Sequence, residues 1–119
     1  MNLGHLIRSL WGKLHAPKAD YLKVSFVTSM SDIPEHTGKT IFVIGATPKW
    51  VIFDCPCDRG HRLSVPLMKS VSPHWKLTRH RKTISLWPSV SVADGPCRSH
   101  FWLRKNRVEW TRWVNGGYR

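Results

Sequence analysis

Three cysteines and one histidine form two short pairs that lie far apart in the sequence. The first pair is Cys55 and Cys57, separated by a proline, and the second is Cys97 and His100, separated by two residues. Soft thiolates and an imidazole nitrogen suit Zn²⁺, and two short ligand pairs brought together from distant loops build a tetrahedral site. We therefore predict one Zn²⁺ per chain, bound by these four residues.

Two other interpretations of the cysteines were weighed against a metal site. Three is an odd number, so the cysteines cannot form a complete set of disulfides, and no secretory signal precedes them. Buried free thiols pack as small hydrophobic side chains, which suits an isolated cysteine better than tight pairs. The spacing of Cys55 and Cys57 is shorter than in most structural zinc half-sites, but the metal interpretation explains all three cysteines together.

Two residues beside the predicted ligands offer catalytic chemistry. His61 follows Cys57 by four positions and is an alternative ligand, or a base beside the metal. If His100 faced away, three ligands would leave an open position for water, as in catalytic zinc sites. Ser99 either satisfies a thiolate or a loop carbonyl, or is a nucleophile activated by His61.

The length and charge of the chain limit its organisation and its partners. The 119 residues include 19 Lys and Arg against 7 acidic residues, which gives a formal net charge of +12. We predict a single domain over 1–119, with a helix over 1–16, a metal-clipped β domain over 20–113 and a tail over 114–119. A basic surface favours nucleic acid, an anionic membrane or an acidic protein as partner. No apolar segment is long enough to span a membrane and no signal peptide is evident, so the cytoplasm is expected.

Hydrophobic spacing predicts a mainly β protein. Leu3, Leu6 and Leu10 recur at helical intervals before Pro17, which predicts an N-terminal amphipathic helix. Beyond it, apolar runs separated by turn residues predict six to eight short strands in a compact antiparallel sheet or sandwich. These runs lie at 22–26, 40–44, 50–53, 62–65, 75–77, 84–90, 101–103 and 108–110. The two ligand pairs fall on two loops at one end of this domain, which the zinc would join.

The seven tryptophans are predicted mostly as core, since each buries a large area. As an alternative, Trp110 and Trp113, beside Arg107 and Arg112, would form a stacking platform for single-stranded nucleic acid. Basic residues at 79–82 and 104–112 form either a solvated face or an anion-binding surface.

Several short motifs together resemble a family of small bacterial proteins. They are Phe53-Asp54-Cys55-Pro56-Cys57, Gly60-His61-Arg62, Trp75, Leu86-Trp87-Pro88-Ser89-Val90 and Cys97-Arg98-Ser99-His100-Phe101-Trp102. The resemblance covers roughly residues 40–113. Members of this family look like partners in operons for bacterial ubiquitin-like conjugation, where they are encoded beside a multi-ubiquitin-like protein and E1- and E2-like enzymes. The ligand spacing is also similar to that of Rieske proteins, but three thiolates and one imidazole suit Zn²⁺ better than an iron–sulfur cluster.

The resemblance implies a zinc-binding component of a ubiquitin-like modification pathway, with the modifier or its E1- or E2-like enzymes as partners. Such a component is either a peptidase that trims or removes the modifier, or an adaptor built around zinc. A peptidase would need an exposed Ser99 or a metal-bound water. The alternative functions are a nucleic-acid-binding zinc module and a stand-alone metal enzyme.

Overall fold

A computed structural model describes residues 20–57, 59–92 and 97–112. The described part contains one 3₁₀ helix, Met30–Asp32, and nine strands, which confirms the predicted mainly β class. The strands are β1 Lys23–Val27, β2 Thr40–Ile44, β3 Trp50–Asp54, β4 Arg62–Pro66, β5 Lys76–His80, β6 Thr83–Trp87, β7 Val90–Ser91, β8 His100–Arg104 and β9 Arg107–Arg112. The predicted helix over 1–16 and the predicted tail lie outside the described residues.

The strands form three sheets, which have the orders β1-β2-β3-β4, β5-β6 and β7-β8-β9. Every pair is antiparallel except β1 with β2, so the predicted antiparallel arrangement is wrong for that pair. A parallel pair needs a long return connection, and residues 28–39 supply it. Within the described residues, no helix is long and apolar enough to cross a membrane.

The core joins side chains from different sheets. Phe53 on β3 packs edge-to-face against Tyr21, with ring centroids 5.4 Å apart, and against Phe101 on β8 at 6.4 Å. Phe101 in turn packs against Trp110 on β9 at 5.8 Å. All three cysteines belong to the same buried cluster. The thiols therefore lie where the first sheet meets the third.

Strand β1 is only partly buried. Its Val24 packs against the core, but Phe26 of the same strand and Leu22 just before it are 43% and 82% exposed. The strand lies at the edge of its sheet, and the guanidinium of Arg79 stands over the Phe26 ring at 4.3 Å. The apolar run at 22–26 therefore predicted the strand, and its edge position explains why these side chains are exposed.

The turn between β8 and β9 connects several parts of the fold. Lys105 and Asn106 have φ angles of 49° and 66°, and β8 pairs antiparallel with β9 across this turn. The buried Asn106 side chain accepts a hydrogen bond from Ile84 N at 2.9 Å through its Oδ1. The backbone N–H of Asn106 donates to Ile84 O at 3.0 Å, and its backbone carbonyl accepts from Tyr21 N at 2.8 Å. One residue thus joins this turn to β6 and to the segment before β1.

Candidate functional site

The β3–β4 hairpin positions two of the cysteines and one histidine. Cys55 N–H donates to the carbonyl of His61 at 2.8 Å, which closes the loop just beyond the last strand pair. Gly60 has a φ of 81°, a conformation that glycine adopts without strain, and it returns the chain toward β4. Cys55, Cys57 and His61 therefore come from one tight loop, at the tip of the β3–β4 hairpin.

Cys97 arrives from the segment before β8 and completes a cluster with that loop. Its Sγ lies 3.6 Å from Cys55 Sγ, and Cys57 Sγ lies 3.1 Å from His61 Nε2. All four donor atoms lie within 4.8 Å of one another. Zn–S bonds of about 2.3 Å in a tetrahedron place two sulfurs about 3.8 Å apart, whereas a disulfide requires about 2.05 Å. The three free thiols and the imidazole therefore lie close enough together to hold a metal ion.

His100 is not part of this cluster, although the sequence favoured it as the fourth ligand. The structure places His61 there instead, which the sequence analysis had kept as the alternative. His100 begins β8 and pairs with Ser91 of β7, and its Nε2 lies 2.7 Å from Ser89 Oγ. The pairing of β8 with β7 therefore brings this imidazole to Ser89. The spacing between Cys97 and His100 shows that both could bind one metal, but it does not determine where the imidazole points.

Burial and hydrogen bonding act in opposite directions on the thiols. Burial raises the pKa of Cys55 and of Cys57. Burial also disfavours the thiolate of Cys97, but the hydroxyl and backbone N–H of Ser99, together with the thiols of Cys55 and Cys57, stabilise it, and the net effect is a lowered pKa of Cys97. Burial lowers the pKa of His61, which keeps the imidazole neutral as metal binding requires. A cation among the sulfurs would stabilise all three thiolates.

Ser99 is buried, with only 3% of its surface exposed. Its hydroxyl makes no well-aligned hydrogen bond with any described residue and lies beside the Cys97 sulfur, whose pKa it lowers. His61 Nε2 faces Cys57, and no hydrogen bond joins it to Ser99 in the described part of the chain. These contacts give no support to the predicted pair of Ser99 and His61.

Ser89 and His100 form the contact that a hydroxyl nucleophile needs. Both side chains are half-buried. Ser89 lies between β6 and β7, and its carbonyl accepts a hydrogen bond from Trp75 Nε1 at 3.2 Å. The carbonyl of His100 accepts from the Thr111 hydroxyl at 3.1 Å. With Nε2 unprotonated, the Ser89 hydroxyl donates to the imidazole, which is the arrangement of a nucleophile with its general base.

Ser89 was not among the candidate residues predicted from the sequence. Ser99 was the predicted nucleophile because it stands between two predicted ligands. A signal was nevertheless present, since Ser89 lies in one of the motifs that carry the family resemblance. In addition, His61 can complete the metal cluster, and this leaves His100 available for another partner.

The described part of the chain is thus a mainly β fold that carries a cluster of three thiols and one imidazole and, three residues after Cys97, the histidine of a serine–histidine pair. Comparison with protein families shows that the chain belongs to the BubE family, described as the serine protease of a bacterial ubiquitination-like system, with a match over residues 27–111. This confirms the resemblance to a family associated with bacterial ubiquitin-like conjugation. Neither the curated proteins nor the solved structures gave a match.

Proposed function

We propose that this protein is a serine peptidase that hydrolyses the acyl bond at the carboxyl end of a ubiquitin-like modifier. The observation that carries the proposal is the 2.7 Å contact between Ser89 Oγ and His100 Nε2. The family description supplies the substrate class, since it assigns a serine protease to a bacterial ubiquitination-like system. Such an enzyme would trim a precursor of the modifier or release the modifier from its conjugates.

The reaction follows from the two side chains. As Ser89 Oγ attacks the scissile carbonyl carbon, His100 Nε2 takes its proton and then gives that proton to the leaving amine. Water, deprotonated by the same imidazole, then hydrolyses the acyl-serine and restores the enzyme. The two side chains of this proposal form a serine–histidine dyad, and the pairing of β8 positions the imidazole.

The metal in this proposal is structural. Cys55, Cys57, His61 and Cys97 would bind one Zn²⁺, and four protein ligands leave no open position for a reactive water. Supporting this assignment are the mutual distances of the donor atoms and the burial of the three thiols. The ion would tie the β3–β4 loop to the segment that leads into β8.

Two serines of the same chain make a matched test of the nucleophile. The substrate is the ubiquitin-like protein of the same system, extended at its carboxyl end by a short peptide. We expect Ser89→Ala to lower kcat/KM by at least about 10³-fold, because the nucleophile is removed, while zinc content and melting temperature stay unchanged. Ser99→Ala should retain cleavage. Normal cleavage by Ser89→Ala together with loss in Ser99→Ala would return the nucleophilic role to Ser99.

A further inference from the structure

A groove of about 850 Å³ is lined by residues of β5, β6 and the β8–β9 hairpin, among them Trp87, two residues before Ser89, and Trp102, two residues after His100. Its volume is in the range of sites that bind ligands. The side chains that line the groove include Ser85, Trp87, Trp102, Arg104, Arg107 and Glu109. Trp87 is 66% exposed, so this tryptophan presents its ring to the surface and does not belong to the core.

The groove lies on the same face of β8 as His100. Half-buried or exposed residues at 100, 102 and 104 alternate with the buried Phe101 and Leu103, and this alternation persists despite the register shift between His100 and Phe101. A strand rises about 3.4 Å per residue, so Trp102 lies about 7 Å and Arg104 about 14 Å from His100 along the strand. A substrate bound at the imidazole would therefore reach the groove within a few residues.

The chemistry of the groove is aromatic and basic. The guanidinium of Arg104 stacks on the Trp102 ring at 4.6 Å and approaches Glu109 at 3.4 Å. Arg107 is exposed and is the direct partner of Arg104 across the hairpin, and Lys105 also lines the groove. Three cationic side chains against one carboxylate leave an excess of positive charge for an incoming anion.

We propose that this groove binds an extended segment of the polypeptide substrate that carries an acidic side chain three or four residues from the scissile bond. The spacing supports it, because an extended chain that runs along β8 covers the distance from His100 to Arg104 in about four residues. An apolar residue beside the acidic one would pack on Trp87 and Trp102. The identity of the peptide as part of a ubiquitin-like protein rests on the proposed function.

A polypeptide fits this groove better than a single-stranded nucleic acid does. The same strand face carries the pair proposed for acyl hydrolysis, which acts on a peptide chain. The Glu109 carboxylate in the lining would repel a phosphate backbone, whereas a single acidic side chain can bind Arg107 and avoid it.

The test measures binding to the Ser89→Ala protein, which cannot consume the probe. Fluorescein-labelled ten-residue peptides carry one Glu, or one Lys in its place, three or four residues from the central bond on either side. We expect at least one Glu peptide to bind about fivefold tighter than its Lys match by fluorescence anisotropy, as expected for a partly exposed ion pair.

Arg107→Glu should abolish or reverse this preference, and Glu109→Gln should strengthen binding of the Glu peptide. Lys39→Glu, an exposed charge reversal outside the groove, is the matched control and should leave the preference intact.

The outcomes separate this proposal from the proposed function. Equal affinity for the Glu and Lys peptides, or displacement of the peptides by oligothymidylate at equal concentration, would overturn the assignment of the groove. If the wild-type protein cleaves its substrate but shows no acidic preference, the groove proposal alone fails. If the acidic preference exists but cleavage does not depend on Ser89, the groove stands and the dyad fails.

Discussion

At the residue scale, the contacts of His61 and His100 are the reverse of those that their spacing from the cysteines predicts. His100 follows Cys97 by three positions, a familiar half-site, yet its Nε2 contacts Ser89. His61 has the less familiar spacing and contacts Cys57. Residue types and distances along the chain identified the three cysteines correctly as one cluster. They could not assign the histidines, because the direction of each imidazole depends on strand pairing that joins distant residues.

The two histidines should therefore respond differently to the same substitution. We expect His100→Gln to lower kcat/KM by about 10³-fold and to keep the zinc, because it removes the proposed general base and leaves the proposed ligands intact. His61→Gln should lose zinc, because it removes a proposed ligand. Zinc released on denaturation and cleavage of the extended substrate measure the two effects. Loss of zinc from the His100 variant would contradict the assignment of ligands.

At the element scale, local patterns identified strands far better than their partners. The apolar run at 40–44 coincides with β2, and the runs at 101–103 and 108–110 lie within β8 and β9. The parallel pairing of β1 with β2 was not predicted, because nothing in residues 28–39 distinguishes a connection that returns to the same end of the sheet from a hairpin loop. Sheet partnership depends on contacts that no short window of sequence contains.

The β8–β9 turn should matter for stability beyond its own hairpin. Glycine adopts a positive φ without strain, so Asn106→Gly preserves the backbone of the turn. The substitution removes the side-chain oxygen that accepts the hydrogen bond of the buried Ile84 N–H. We expect it to lower the free energy of unfolding by about 1–3 kcal/mol, since a buried donor is left without a partner. Lys105→Gly, at the neighbouring exposed position of the same turn, should be close to neutral. Urea unfolding followed by tryptophan fluorescence compares the two, and equal effects would contradict the bridging role of Asn106.

At the scale of the whole molecule, the metal cluster and the hydrophobic core form one unit. The three cysteines pack in the same cluster as Phe53 and Phe101, so three of the four proposed ligands are also core residues. Tryptophans divide in a way that composition alone did not predict: Trp110 packs on Phe101, whereas Trp87 and Trp102 line the surface groove. Composition predicts how much aromatic area a chain carries, but the face of each strand decides where that area goes.

Removal of zinc should therefore unfold the whole domain. Structural zinc sites contribute about 10–16 kcal/mol in zinc-finger peptides, which matches or exceeds the total stability of about 5–15 kcal/mol of typical domains. We expect both chelation and Cys97→Ser to abolish the near-ultraviolet circular dichroism of the aromatic core. Ser99→Ala, two residues away, serves as control and should keep that signal. A folded, metal-free wild-type protein would contradict the metal assignment.

The short separation between a metal ligand and the proposed general base has a consequence for how such an enzyme would be classified. Cys97 belongs to the cluster and His100, three residues later, belongs to the dyad. Reagents that acylate or phosphonylate serine should inactivate the protein, and strong chelators should do so as well, although the ion takes no part in bond cleavage. Inhibitor profiling would thus report two catalytic types for one peptidase, and only the site of covalent labelling, Ser89, would distinguish them.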